Sequence, residues 1–559
     1  MTTHRCLLIL VCILAVFVYQ VERAHSQVFF GQFQDDSIYF STAKALANGQ
    51  GYTLISFPGH PPQTKYPIVY PWLLSFVWRL SPSFPDNLKL AIRLSEFFSC
   101  WSLLATFFLL RNLSGVGKKA ALWLTAICAF HPVFVRISGL VMSDMPFMAC
   151  LLTALAICVH VSSRQAPIWI YVVVGLLAGL STGIRTLGLA LVAGICGALL
   201  SNRSYRAAVV VAASAGLVML LLSDLTHLHQ GAPLRLDTSG EAGWNQVVAY
   251  YTSYTQFQWN MGIPSLAALI HLVLLNLFVL AASPGTIVFG TFGTIWNFAV
   301  TLLSFPMWIG VLRQWRHSEW KPVLLSFVFY LSVILVWPYP QPERFLLPFL
   351  PLLIAGLWIE ARRIGGVVLT KLRIGTATSE RIGSAVVVII GGVLLAVGAW
   401  NCLVRDPRER QVSAATLAAG LQEREQAYQW IREYTKPDDR VVAWKDAVLF
   451  LYTGRQSLRP VAPLPQDFYL DDASSEKRDL AHLCDAPRHA GVHYWMTTPQ
   501  DFNLEPHREA LLARMKVVSA ALPVVFRSVQ GNVEIHDASC LIEQHGPDCQ
   551  RVLAILFPK

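Results

Sequence analysis

The stretch FGQFQDDSIYFSTAKALANGQGY, Phe30 to Tyr52, sets two adjacent carboxylates, Asp35 and Asp36, just after the first long apolar run of the chain. The residues that follow suit a helix ending at Asn48-Gly49, and an aspartate at its start would serve as the N-cap. The helix dipole also favours an ionised carboxylate there. A cap uses one side chain, so the second acid is left for another task. An ionised acid held beside a membrane surface acts as a base or meets a cation.

The rest of the chain makes that surface a membrane. Its 559 residues are 54% hydrophobic and only 14% charged, where a soluble domain carries about 25% charged residues. Mean hydropathy is +0.47. Continuous apolar runs of about 15 to 25 residues predict spanning helices rather than the alternating strands of a barrel. The net charge of +10 does not mark a nucleic-acid binder, because the basic residues sit in short loops between apolar runs. No Gly-Lys-Ser/Thr phosphate loop, zinc-type Cys/His cluster or basic-aromatic arm is found.

About eleven spans are expected. The first six are Leu7–Val21, Glu96–Leu110, Ala120–Ile137, Met145–Val161, Ile168–Ile184 and Leu187–Leu200. Ala207–Ser223, Gly285–Leu312, Pro322–Trp337, Phe345–Ile359 and Ser384–Trp400 complete the set. Loops carrying Arg111, Lys118 and Lys119, then Arg164, then Arg203 and Arg206, fall on the inner side if the N-terminus is inside. Reading Ser265–Ala282 as an interfacial helix keeps RQWRHSEWK on that side too. The C-terminus is then outside. The first run also resembles a secretory signal peptide; an uncleaved anchor is favoured because small residues at a cleavage site are lacking.

The domains expected are a membrane catalytic domain, 1–404, with outer loops 24–95 and 224–264, and a soluble α/β domain, 405–559. In the tail, EREQAYQWIREYT has helical periodicity, DRVVAW reads as a strand, and AVLFLYTGRQ as a helix ending at Gly454. GVHYWMTT and GNVEIHD read as further strands. Seven of the eleven cysteines precede Gly197 and behave as small apolar residues in the spans. Cys402, Cys484, Cys540 and Cys549 lie outside, where Cys540 and Cys549 suit a structural bridge.

Further charges gather near the outer boundary. SGLVMSDMPFMAC places Asp144 between the third and fourth spans, where an acid is costly unless solvated, paired or used. It also suits an N-cap ahead of Pro146. KYPIVYPWLLSF sets Lys65 before an apolar segment, either snorkelling or meeting a phosphate. LSTGIRTLGL and WPYPQPERFLLPFLPLL carry Arg185 and Arg344, each requiring an anion, carbonyls or water. His60 and His131 are isolated and read as ordinary interfacial histidines, and no metal is expected. Three acids and three bases on one side suit a substrate with its phosphate at the interface and a lipid tail in the bilayer.

DDSIY followed by AKALANGQGYT, then KYPIVYP, MSDMPF and ERFLLPFLP, resemble the GT-C fold glycosyltransferases that use polyprenyl-phosphate sugars. Protein O-mannosyltransferases and the lipid A aminoarabinose transferase belong to that group. The resemblance covers about Met1 to Trp400. It implies a polytopic helical GT-C-like protein that moves a sugar from polyprenyl phosphate to an acceptor hydroxyl, with inversion. It further implies an integral bacterial inner-membrane protein with its C-terminal domain in the periplasm. Asp35 matches the family's general base, and Asp36 helps orient the base or the sugar. Asp144 matches the second-loop acid that orients the acceptor or, less readily, a divalent ion. Lys65, Arg185 and Arg344 would stabilise charge on the departing phosphate, although a lysine often stands where Arg185 does. Tyr39, four residues after Asp35 on one helix face, binds substrate or anchors at the interface.

The main rival reading is a transporter or flippase of lipid phosphates. It should show internal repeats and broken helices at the midplane; no repeat is evident and the charges lie on one side. A membrane-anchored binding module leaves the boundary charges unexplained. Neither sugar nor acceptor is legible.

Overall fold

The computed structural model describes residues 3–24, 29–162, 166–228, 242–371 and 406–543, less positions 260, 292, 340, 471, 472 and 504, with isolated positions elsewhere. Arg164, Cys402, Cys549 and most of the expected span Ser384–Trp400 lie outside them.

The first ten helices are α1 (Thr3–Ala24), α2 (Asp35–Ala47), α3 (Val69–Leu80), α4 (Leu88–Leu110), α5 (Lys118–Ala129), α6 (Pro132–Ser138), α7 (Asp144–Val161), α8 (Ile168–Ile184), α9 (Gly188–Ser201) and α10 (Tyr205–Leu228). There follow α11 (Ala242–Thr252), α12 (Tyr254–Trp259), α13 (Leu266–Phe289), α14 (Thr294–Leu312), α15 (Lys321–Leu335), α16 (Pro342–Leu346) and α17 (Leu350–Lys371). The last segment holds α18 (Asp406–Tyr434), β1 (Val441–Val442), α19 (Asp446–Thr453), β2 (Ser457–Leu458), α20 (Ala473–Ala481) and α21 (Asp485–His489). It ends with β3 (Tyr494–Thr497), α22 (Arg508–Ala521), β4 (Val524–Arg527), β5 (Glu534–Asp537) and α23 (Cys540–Glu543).

Two compact units divide the chain: residues 1–26, 91–223 and 272–412 form one, and 27–90, 224–271 and 413–559 the other. The membrane helices make the first. Among the described residues, eight helices are long and apolar enough to cross a membrane, or nine if α5 and α6, bent by 63°, count as one span. The apolar helices α8 and α9 are shorter. Large side chains such as Leu220, Phe278 and Phe298 stand exposed on α10, α13 and α14, as hydrocarbon-facing helices require.

The apolar sequence is divided differently from the expectation in one place. Leu266–Ala282 forms part of α13, a helix of 24 residues with hydropathy 2.3, long and apolar enough to cross a membrane. Gly285–Leu312 is not one span, because the chain breaks between α13 and α14. There Gly290 and Gly293 have φ of 74° and 126°, a backbone that side-chain-bearing residues avoid. Apolar residues run through the break, so hydropathy does not mark it. Counting α13 as a span removes the charge argument that kept RQWRHSEWK inside. Helix α4 also starts two turns before the expected Glu96.

The second unit is built from chain segments far apart in sequence. Ile38, Leu54 and Phe57 from its first segment, Trp244, Val248 and Tyr251 from α11, and Val442, Trp444 and Leu458 from the last share one buried core. The loops expected outside the membrane thus fold with the tail. Their common core is a five-stranded sheet in the order β2-β1-β3-β5-β4. Strands β2, β1 and β3 are parallel neighbours, while β5 runs antiparallel to β3 and β4. Strands β1, β3 and β5 and helix α19, which stops at Gly454, match the sequence reading. Cys540 is disulfide-bonded.

Candidate active site

Helix α2 starts with both acids in its first turn, but neither is its N-cap. Gln34 holds that position, with φ 61° and no side-chain capping bond. Asp36 does the work of an anion at the helix start. Its carboxylate accepts from the backbone N–H of Ser37 and of Gly31, both at 2.7 Å, closing the loop before the helix. Gly31 has φ +83°, and a Cβ there would lie 2.5 Å from Val448 Cγ2. Glycine is therefore required. Burial pushes the Asp36 carboxyl up to about 6, against the opposing hydrogen bonds and the Lys445 charge. At 1% exposed, Asp36 holds the loop through these bonds.

Asp35 is half-buried, and its Oδ1 accepts a hydrogen bond from the Tyr66 hydroxyl. Burial and the Asp35 charge hold the Tyr66 phenol well above its ordinary range, so it stays a donor. Two contacts fix Tyr66: its ring lies 4.5 Å from that of Tyr39, and its carbonyl accepts from the Tyr52 hydroxyl at 2.7 Å. Tyr39 is 3% exposed and lies 5.1 Å from Tyr70. It supports Tyr66. Lys65, next to Tyr66, donates to the Tyr250 hydroxyl at 2.8 Å, with its ammonium 4.1 Å from that ring's centre. This replaces simple snorkelling with a fixed position.

In the membrane unit Asp144, Arg185 and Arg344 come together. Asp144 is the first residue of α7 rather than its cap, which is Ser143. Both its oxygens accept from Arg344 Nε at 3.0 Å, and Oδ1 also from Arg185. The side chains are 2%, 11% and 16% exposed for Asp144, Arg344 and Arg185. Two arginines against one acid leave a positive centre, and the carboxylate is engaged in holding them. Of the two histidines, His131 is buried, its Nε2 2.8 Å from the Ile287 carbonyl. It is a buried histidine hydrogen-bonded to the backbone. His60 is exposed and meets Gln456 at 2.7 Å. Among the described residues no group of three or more His, Cys, Asp or Glu is placed to hold a metal ion.

Several residues around Asp35 escaped the sequence reading. Asp446, the first residue of α19, accepts from Tyr251 at 2.6 Å and from Gln34 at 3.2 Å. Lys445 donates to the Gln32 carbonyl at 2.9 Å, and burial with the Arg459 charge pushes its ammonium down to about 8. Tyr66 alone carried a signal, its place between Lys65 and Pro67.

No known family profile matches the sequence, and no curated protein matches it. Solved structures match its fold. The chain resembles ArnT from Cupriavidus metallidurans, solved with undecaprenyl phosphate bound, at 13% identity and a TM-score of 0.52, over 98% of this chain and 100% of that one. It also resembles the Archaeoglobus fulgidus oligosaccharyltransferase tethered to an acceptor peptide containing the NVT sequon, at 14% identity and a TM-score of 0.54. That match covers 97% of this chain and 75% of the other. The chain is an integral membrane protein with the GT-C-like fold expected from its motifs.

Proposed function

We propose that this protein transfers a sugar from a polyprenyl-phosphate carrier to an acceptor hydroxyl, with inversion at the anomeric carbon. The observation that carries this reading is Asp35 itself: a half-buried carboxylate at a helix start, held by the Tyr66 hydroxyl, with the fixed ammonium of Lys65 on the neighbouring residue. A general base must be both reachable and oriented. Asp35 meets both conditions and Asp36 does not.

In the proposed step the acceptor oxygen attacks the anomeric carbon and gives its proton to Asp35. The bond from that carbon to the phosphate oxygen breaks, and the electron pair leaves with polyprenyl phosphate. Lys65 stabilises the charge growing on that phosphate. We assign Arg185 and Arg344, held by Asp144 within the membrane unit, to substrate binding. ArnT, which shares the fold, was solved with undecaprenyl phosphate, which supports a lipid-phosphate carrier. We place the second unit outside the membrane, in a bacterial periplasm, and assign the chemistry no metal.

The test is release of free polyprenyl phosphate by the purified protein from a panel of labelled polyprenyl-phosphate sugars, with cell-envelope extract as acceptor. Release with one sugar supports the reading and names the donor. Binding of the carrier without release from any donor favours a lipid flippase instead.

A further inference from the structure

Arg459 is a deeply buried charge in the second unit with an unpartnered donor. Its side chain is 5% exposed, and among the described residues its ionic partner is Glu505 Oε1 at 3.6 Å, beyond hydrogen-bonding distance. Its Nε is fully buried and meets no hydrogen-bond partner. A guanidinium offers five donors in a fixed fork that matches phosphate and carboxylate oxygens. Here its face lies over Trp444, 4.1 Å from the ring centre, and 5.5 Å from that of Tyr250. Lys65 stands over the same Tyr250 ring. A structural arginine this deeply buried would have its donors satisfied.

The sheet supplies an independent reason to look here. Strands β2, β1 and β3 are parallel, and chain order reverses at β1, which is followed by β2 on one side and later by β3 on the other. Ligands of parallel sheets bind outside the carboxyl ends of the strands at such a switch point. Lys445 lies three residues after β1, Arg459 directly follows β2, and Glu505 lies in the segment after β3. Asp446 and Asp36 face the same region, but their oxygens are engaged by Tyr251 and Gln34 and by two backbone N–H groups.

We propose that Arg459, with Lys65 and Lys445, forms a phosphate-binding subsite at the carboxyl edge of the parallel strands. Glu505 stands near the guanidinium where no phosphate is bound. This rests on the transfer reading in one respect: a lipid-carried phosphate is the natural occupant, and a soluble phosphate group shares its chemistry.

The experiment measures binding by full-length protein in nanodiscs, with undecaprenyl phosphate in one arm and inorganic phosphate in the other. Wild type is compared with Arg459→Lys, Arg459→Gln and Glu505→Gln, and the melting temperature of each is recorded. Loss of the fork should weaken binding about 10- to 100-fold in Arg459→Gln, and by less in Arg459→Lys. Glu505→Gln should tighten it, because a competing carboxylate is removed. A lipid occupant shows these changes with undecaprenyl phosphate only; a soluble one shows them with inorganic phosphate as well. Unchanged affinity in folded Arg459→Lys together with unchanged or weaker binding in Glu505→Gln would overturn the subsite. The Glu505 variant keeps the test open if both arginine variants misfold. Binding needs no turnover, so a protein that shows these shifts yet releases no sugar keeps the subsite and loses the transferase.

Discussion

Replacing Tyr66 by phenylalanine removes one oxygen from the site and leaves its scaffold in place. The ring keeps its position against Tyr39 at 4.5 Å, and the residue's carbonyl still accepts from Tyr52. What is lost is the hydrogen bond to Asp35. A hydrogen bond to a charged group is worth about 1.5–3 kcal/mol when sheltered. Asp35 is half-buried, so water recovers part of that and about 1 kcal/mol remains. Loss of a donor to the ionised form raises a carboxyl's pKa, which moves the acidic limb of the rate–pH profile upward. The freed carboxylate also loses its orientation, and misplacement of about 1 Å costs as much as 100-fold in rate. The expected result is a kcat lower by about 10- to 100-fold, with donor binding unchanged. The assay is sugar release against pH, beside thermal unfolding to show an intact fold. A variant with wild-type kcat and an unmoved limb would refute the role assigned to this pair.

Other perturbations test the scaffold. Asp36 titrates near 6 in the folded chain against an ordinary 3.8. Its contribution to stability is fully present below the unfolded value and lost as pH rises through about 6, a change of about 3 kcal/mol. Asp36→Asn should flatten the fall in melting temperature between about pH 4 and pH 7. Asp144→Asn leaves Arg185 and Arg344 as two buried charges facing a neutral group, costing about 3–5 kcal/mol; adding Arg185→Gln should recover part of the lost melting temperature. Gly31→Ala forces a Cβ against Val448 at φ +83° and should cost about 1–3 kcal/mol, with Val448→Ala relieving the contact but not the backbone strain.

What was legible in the sequence was whatever short-range pattern dictates. The helix α2 with its end near Asn48, and α19 with its stop at Gly454, follow from periodicity and turn residues within a few positions. The boundary between α13 and α14 was hidden because both flanks of the Gly290–Gly293 break are apolar. Pairings across long separations were hidden for another reason. Asp144 meets Arg185 and Arg344 across 41 and 200 residues, so charge counting suggested a shared side but not that one acid holds both arginines. Asp35 and Asp36 were adjacent and chemically equal on paper. Only the fold separates them, by burying one against Gly31 and Ser37 and leaving the other beside Tyr66. Arg459 stood in a tail that offered no motif, and its meaning depends on the strand order.

The most direct test of the central claim compares wild type with Asp35→Asn for binding of the carrier and for release of polyprenyl phosphate from the donor that wild type uses. Asparagine keeps an oxygen to accept from Tyr66 but takes no proton. The account predicts undiminished carrier binding with release reduced by at least about 100-fold, a general base contributing about 10²- to 10⁴-fold. Release by the variant at the wild-type rate would contradict it and remove Asp35 as the base.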